Sequence, residues 1–212
     1  ISDMNLKIQN REVKLESFKA GLFNGTVDLK GILSTVGRPT GSFTYAITNA
    51  ELRDAITSLT NGYNKISGLF SLSGSISFSG FDIDSCIAQM SGSGGFAARD
   101  TLLSGLNLAA IRYDVISAKT KKEYDYIIYK ALTEGLTKFG YIASNIFLNE
   151  GKFEFKDTVM NGENLAPEGQ SYILKLDLSN LNAELAAELN LMVGKGNNTF
   201  VPIRIKEKGS IE

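Results

Sequence analysis

Residues 68–80 read GLFSLSGSISFSG, an alternation of apolar and small polar residues between two glycines. Four large apolar side chains fall on one side of this alternation: Phe70, Leu72, Ile76 and Phe78. A period of two over this length is typical of a β-strand with one dry face and one wet face. The stretch therefore predicts a long strand with an apolar wall on one side.

The same alternation occurs in four segments nearer the beginning of the chain. They span residues 3–10, 12–19, 26–33 and 43–48, and Asn24-Gly25 between two of them favours a tight hairpin turn. In the fourth segment, Phe43, Tyr45 and Ile47 share one face. We predict further strands at residues 91–98, 141–148, 152–158, 171–178 and 199–206, the last with Pro202, which suits an edge strand. Residues 183–192 fit either a helix or a strand, and the resemblance described below favours a strand.

Helical signals cluster between residues 48 and 140. Thr48 and Glu51 have the spacing of a capping box, which predicts a helix over residues 48–59 that is ended by Asn61-Gly62. Asp82 is placed to cap a short helix over residues 82–90, and residues 102–118 are also predicted to be helical. Residues 121–139 carry an apolar stripe at helical spacing that we expect to pack on the sheet, with Tyr124, Ile128, Leu132 and Phe139 buried.

These elements predict one α+β domain over residues 1–212. The expected architecture is mainly antiparallel β, a curved open sheet that forms a taco-like groove, with three or four packed helices. Because the chain begins at Ile1, we expect it to be a fragment of a longer chain.

Composition argues against most catalytic chemistry. The chain has no histidine, a single cysteine and a formal net charge of −1, so neither an imidazole base nor binding to nucleic acid is favoured. Cys86 lies on an apolar helical stripe and is expected to be a small buried hydrophobe. Ser91 to Gly95 lacks the spacing of a phosphate loop, and Asp82 with Asp84 lacks the further oxygen ligands of a calcium loop. We predict no enzyme activity, no catalytic or metal-binding residues and no cofactor.

The order of these segments resembles the C-terminal region of AsmA-like proteins. The resemblance rests on the helix from Asp82 to Met90, on Ser91-Gly-Ser-Gly94 and on Gly105-Leu-Asn-Leu108. It continues with the segment from Phe155 to Leu165, and with the strand segments at residues 170–178 and 200–205, the last containing Val201-Pro202. The chain departs from the family pattern at Gln170 and Lys206, where the family has glycine.

Membership would imply a periplasmic protein that is anchored to the inner membrane through a segment absent from this chain. It would also imply a β-groove akin to bridge-like lipid transfer proteins, a phospholipid partner and a role in outer-membrane biogenesis. The alternative is a structural or assembly module with a closed core that contacts other envelope proteins. Under the lipid hypothesis, the lipid-facing residues are Phe43, Tyr45, Ile47, Phe70, Leu72, Ile76 and Phe78. The oligomeric state, the lipid species and the direction of transfer stay open.

Overall fold

The computed structural model describes residues 2–59, 65–163, 165, 171–179, 182–192 and 200–210. Eleven strands form one antiparallel sheet in which each strand pairs with its neighbour in the sequence. Four α-helices lie in the connections between β4 and β7, as defined below. The predicted fold class, an α+β fold built on a mainly antiparallel open sheet, is confirmed.

The strands run the length of the described chain, and the helices are short. The strands are β1 (Asp3–Gln9), β2 (Glu12–Leu22), β3 (Gly25–Ser34), β4 (Thr40–Glu51), β5 (Ile66–Ser79), β6 (Ser91–Ser104), β7 (Leu136–Asn149), β8 (Lys152–Gly162), β9 (Ser171–Asp177), β10 (Asn182–Met192) and β11 (Phe200–Ser210). The helices are α1 (Leu52–Leu59), α2 (Ile83–Ala88), α3 (Leu108–Tyr113) and α4 (Lys121–Thr133). A 3₁₀ turn at Val115–Ser117 joins the last two.

The register keeps apolar side chains on one face from β1 to β9. Because paired residues of antiparallel strands point to the same side, one row of pairs can be followed across these nine strands. That row is apolar or glycine throughout: Leu6, Leu15, Gly31, Phe43, Ile76, Gly92, Leu148, Phe153 and Leu176. The next row is polar apart from Ile32: Lys7, Lys14, Ile32, Ser42, Ser77, Ser91, Asn149, Lys152 and Asp177. The sheet therefore has an apolar face and a polar face, as the alternation predicts.

The capping box predicted at Thr48 and Glu51 is wrong, because both residues belong to β4. Asn49 has a φ of 52° at an irregularity between β4 and β5. The Glu51 amide donates to the Phe23 carbonyl at 2.7 Å. The Glu51 N–H is thus bonded to another part of the sheet and needs no helix cap. Helix α1 begins at the next residue, Leu52. The predicted helix end at Asn61-Gly62 lies outside the described residues.

The helix predicted over residues 102–118 is wrong in its first part. Strand β6 continues to Ser104, since residues 101–104 pair with residues 136–139 of β7. Helix α3 begins only at Leu108, where the Asn107 side chain accepts a hydrogen bond from the Ala110 amide at 2.9 Å. Leu108 and Ile111 are buried, whereas Ile116 is exposed.

The helix predicted over residues 121–139 is too long. It begins with a capping box formed by Thr120 and Glu123 and ends at Thr133. Gly135, which has a φ of 91°, turns the chain into β7. Phe139 is therefore a residue of that strand, where it is buried. On the helix itself Ala131 is buried, and the predicted burial of Tyr124 and Leu132 is wrong: Leu132 is 51% exposed. The described contacts of the short helix are mainly with α3 and the 3₁₀ turn before it.

Residues 183–192 form a strand, although their composition favours a helix. Strand β10 is paired on both sides, with β9 and with β11, so tertiary pairing outweighs local propensity. Strand β11 lies at one edge of the sheet and carries Pro202, as predicted. Asp82 caps α2 as predicted, while Cys86 is half-buried rather than buried.

Candidate functional site: the apolar face of the sheet

The seven residues predicted to face lipid lie together on the apolar face. They come from β4 and β5, which are neighbours in the sheet. Phe43 is paired with Ile76 and Ile47 with Leu72, and the other three alternate with these along the same two strands. The prediction that they form one wall is therefore consistent with the register.

Aromatic rings in this wall lie over glycines of the neighbouring strand. The Phe43 ring covers Gly31 of β3, and the Phe78 ring covers Gly41 of β4, leaving no room for a Cβ atom at either glycine. The two rings are themselves stacked, with centroids 6.0 Å apart and planes inclined by 10°. The rings thus occupy the space beside the main chain that the glycines leave open on this face.

The wall divides into a covered part and a half-buried part. Phe70 is only 8% exposed and belongs to a cluster with Ala50, Ala55 and Ala98 beneath α1. Ile47 and Leu72 pack against this cluster. A second cluster joins α3 and α4 to the sheet through Leu108, Ile111, Ala131, Phe139 and Leu165. We call the part of the sheet that holds both clusters the helix-covered region.

Phe43, Tyr45, Ile76 and Phe78 belong to the half-buried part. Burial raises the pKa of the Tyr45 hydroxyl, because its ionised form would be poorly hydrated at this position. A Cβ atom at Gly74, opposite Tyr45, would lie 2.9 Å from that hydroxyl. The side chain therefore lies along the sheet, as the two phenylalanines do.

A depression of about 400 Å³ continues the half-buried part beyond the end of β5. Phe78 forms one side, and the loop before α2 together with α2 forms the other. Its lining also includes Pro39, Phe81, Ile83, Cys86, Ile87 and Met90. Phe81 and Ile83 project strongly into solvent, at 76% and 78% exposure. Sequence reasoning missed this depression, because its residues come from a loop and a short helix in which the period-two alternation has ended.

The opposite face of the sheet carries charged pairs. Lys7 and Lys14 both contact Glu16, at 2.7 and 3.4 Å, and Lys156 and Lys175 contact Glu154, at 2.8 and 3.5 Å. The hydrogen bond from Lys7 lowers the pKa of the Glu16 carboxyl. These groups are solvated, so they mark this face as the one that meets water rather than as a source of large stability.

The ionisable groups beside the apolar wall have structural roles. The Asp82 carboxylate accepts the Ser85 amide at 2.7 Å as the cap of α2. This bond, the Ser85 hydroxyl and then the charge of Arg38 lower the pKa of Asp82. In the part of the chain that the structure describes, no three His, Cys, Asp or Glu side chains are grouped so that they could hold a metal ion. Nor does any helix of the described residues have the length and apolar character needed to cross a membrane.

Comparison of the chain with protein-family models, with curated proteins and with solved structures finds no match.

Proposed function

We propose that this chain is a lipid-handling segment of an AsmA-like protein, which holds or conducts phospholipid acyl chains along the half-buried part of its apolar face. In this proposal the parent protein is periplasmic, is anchored to the inner membrane and serves outer-membrane biogenesis. The observation that carries the proposal is the apolar face that the register builds from β1 to β9, only part of which lies beneath helices. The sequence resemblance supplies the cellular setting.

The energetics of such a surface suit acyl chains. Burying one methylene group is worth about 0.8 kcal/mol. A chain of about sixteen carbons that was fully covered would therefore gain on the order of 10 kcal/mol. The stacked rings of Phe43 and Phe78 offer apolar area that a flexible chain can contact. No charged recognition site is required, because the head group can remain in water.

The test places a carboxylate on the wall and asks whether lipid contact or folding is lost. Ile76→Asp and Phe78→Asp should abolish photo-crosslinking to phospholipid while the circular dichroism melt stays close to that of the wild type. Ser75→Asp is the matched control, because Ser75 is an exposed residue of the same strand on the polar face. Phe70→Asp is the opposite control and should unfold the domain, since an unpaired carboxylate in a buried cluster loses its hydration.

The results separate two kinds of apolar face. Loss of lipid crosslinks in Ile76→Asp and Phe78→Asp, with Ser75→Asp unchanged and all three variants folded, supports a lipid wall. Unfolding of Ile76→Asp and Phe78→Asp, as for Phe70→Asp, would show that these residues fill a closed core. Absence of crosslinks in the wild-type chain at positions 43, 76 and 78 would also reject the proposal.

A second candidate function is a structural or assembly module. The observation that favours it is the helix-covered region, where α1, α3 and α4 fill the apolar face with the chain's own side chains. Native mass spectrometry after gentle purification distinguishes the two functions. Co-purified phospholipid supports the lipid-handling segment, and a ligand-free chain that retains its fold supports the module.

A further inference from the structure

A small recess of about 80 Å³ opens on the polar face of the sheet, where β4, β5, β6 and β7 lie side by side. The register places Leu69 opposite Arg99, and Arg99 opposite Tyr141. Phe70, the residue after Leu69, is buried on the other face, so the recess and the apolar wall lie on opposite sides of the sheet. The lining consists of Asn49, Leu69, Ser71, Ala97, Ala98, Arg99 and Tyr141.

Irregular backbone in three neighbouring strands shapes the recess. Asn49 has a φ of 52° where the pairing of β4 with β5 is irregular, and Gly68 has a φ of 135° where the pairing of β5 with β6 is irregular. In β6, Asp100 follows Arg99 with a φ of 52°. A Cβ atom at Gly68 would lie 2.9 Å from the Arg99 carbonyl oxygen, so the two main chains approach closely here. Irregularities of this kind redirect side chains and are common beside functional sites.

Hydrogen bonds join the polar residues of the recess. The Arg99 guanidinium donates from Nη2 to Asn49 Oδ1 at 3.2 Å. The Asn49 backbone N–H donates in turn to the Ser71 hydroxyl oxygen, also at 3.2 Å. The Arg99 side chain therefore reaches across β5 to β4, which holds its guanidinium at the recess.

The recess has more hydrogen-bond donors than acceptors. A guanidinium has five N–H groups and no acceptor, and among the described residues Arg99 donates only to Asn49 and forms no ion pair. The hydroxyls of Ser71 and Tyr141 donate to no described residue. The rest of the lining is leucine and alanine, whose side chains have no acceptor. The recess thus presents one positive charge and several free donors, which an oxyanion complements.

We propose that this recess binds an oxyanionic group, a carboxylate or a phosphate. Arg99 is its ion partner, and the hydroxyls of Ser71 and Tyr141 donate further hydrogen bonds. The volume of about 80 Å³ is far below the roughly 300–1,000 Å³ of pockets that enclose a whole small molecule. The recess therefore holds one group of a ligand and leaves the remainder in solvent. Because it lies on the polar face, the inference stands whether or not the apolar face holds lipid.

Titrations of the full chain followed by NMR test the proposal. Sodium phosphate, sodium acetate and glycerol 3-phosphate are added separately at constant ionic strength, with sodium chloride as the reference anion. At least one of the three should shift the backbone amide signals of Asn49, Ser71 and Arg99 in a saturable manner. Preference for acetate indicates a carboxylate ligand and preference for phosphate a free phosphate. Tighter binding of glycerol 3-phosphate indicates a phosphate ester, as in a lipid head group.

Three variants test which groups make the contact. Arg99→Gln should weaken binding at least about tenfold, because it removes the charge. Tyr141→Phe should weaken it about threefold, since it removes one donor and leaves the bond between Arg99 and Asn49 in place. Arg53→Gln is the matched control: Arg53 is an exposed residue of α1 outside the recess, so its replacement should not change the affinity.

A purely structural role for Arg99, in which it only holds Asn49 in place, predicts a different result. In that case none of the three anions would give a saturable shift at the recess beyond that of chloride, which would overturn the proposal. Equal weakening by Arg53→Gln and Arg99→Gln would also overturn it, because the anion would then respond to the overall charge of the chain. Binding to Tyr141→Phe as tight as to the wild type would remove Tyr141 from the site.

Discussion

The helix-covered region and the β1 edge are built from the same kind of residue, yet they bury it to very different extents. In the helix-covered region, Leu108 is 2% exposed and packs with Ile111, Ala131 and Phe139. At the β1 edge, Leu6 belongs to the apolar row of the sheet but is 42% exposed. The difference comes from connections: long excursions with helices follow β4, β5 and β6, whereas tight turns join β1 to β2 and β2 to β3. An apolar row in a sheet thus becomes core only where a connection folds back over it.

The largest expected effect contrasts two leucines. Leu108→Ala should lower the free energy of unfolding by about 2–5 kcal/mol, since it leaves a cavity in a packed cluster. Leu6→Ala should cost less than about 1 kcal/mol, because the side chain is already partly in water. Chemical denaturation of monomeric protein measures both. Equal losses would mean that the β1 edge is as well packed as the helix-covered region, and the contrast would fail.

A smaller effect is expected from two adjacent residues of α4. Ala131 is 1% exposed within the cluster that holds Leu108 and Ile111, so Ala131→Leu should overpack that cluster and cost about 1–3 kcal/mol. Leu132→Ala should cost less than about 1 kcal/mol, because half of that side chain is exposed. The sequence alone predicts that Leu132 is buried and that Leu132→Ala costs about 2–5 kcal/mol. Denaturation midpoints of the two variants decide, and a loss above about 2 kcal/mol in Leu132→Ala would restore the sequence-based expectation.

The error at Leu132 shows what the sequence could and could not predict. Alternation identified the faces of most strands, because side-chain direction in a strand depends only on parity. The amphipathic pattern of residues 121–139 did not reveal where the helix ends, although Gly135 was an available stop signal. With the end misplaced, Leu132 and Phe139 were assigned to one buried stripe, whereas they belong to a helix and a strand.

The candidate site was predictable to a similar degree. The seven wall residues share a face because of strand parity, which the sequence contains. Their division into buried Phe70 and half-buried Phe43 depends on where α1 packs, and that is a tertiary property. The depression beside Phe78 depends on the path of the loop before α2, for which Phe81 and Ile83 gave no periodic signal.

A third effect concerns a polar atom inside the helix-covered region. Thr101 is fully buried, and its hydroxyl oxygen has no hydrogen-bond partner among the described residues. Burying an unsatisfied hydroxyl costs about 1–3 kcal/mol. Thr101→Val keeps the branched shape and should raise the free energy of unfolding by about 1 kcal/mol. Thr137→Val is the matched control and should be destabilising, because the Thr137 hydroxyl donates to the Leu106 carbonyl at 2.7 Å. Denaturant titration measures the free energy of unfolding of both variants. If Thr101→Val is no more stable than the wild type, the Thr101 hydroxyl has a hydrogen-bond partner in solution.

The smallest expected effect is the dependence of stability on alkaline pH. Tyr172 packs against the α3–α4 cluster, and burial raises the pKa of its hydroxyl to about 12, above the value of about 10 in an unfolded chain. The folded state therefore holds this proton more tightly than the unfolded state. The resulting contribution to stability is fully present below about pH 10 and is lost as the pH rises through about 12. Because the ring is only half-buried, solvent screening keeps the effect small.

Tyr172→Phe removes this titration and retains the ring. Its free energy of unfolding should therefore fall less steeply than that of the wild type between about pH 10 and pH 12, and the two slopes should agree at neutral pH. Tyr129→Phe provides the control, since Tyr129 is strongly exposed on α4 and its replacement should leave the wild-type slope unchanged. Denaturant titrations at several pH values measure the slopes. Parallel curves for the wild type and Tyr172→Phe would mean that Tyr172 is no better shielded from water than the residues at the β1 edge.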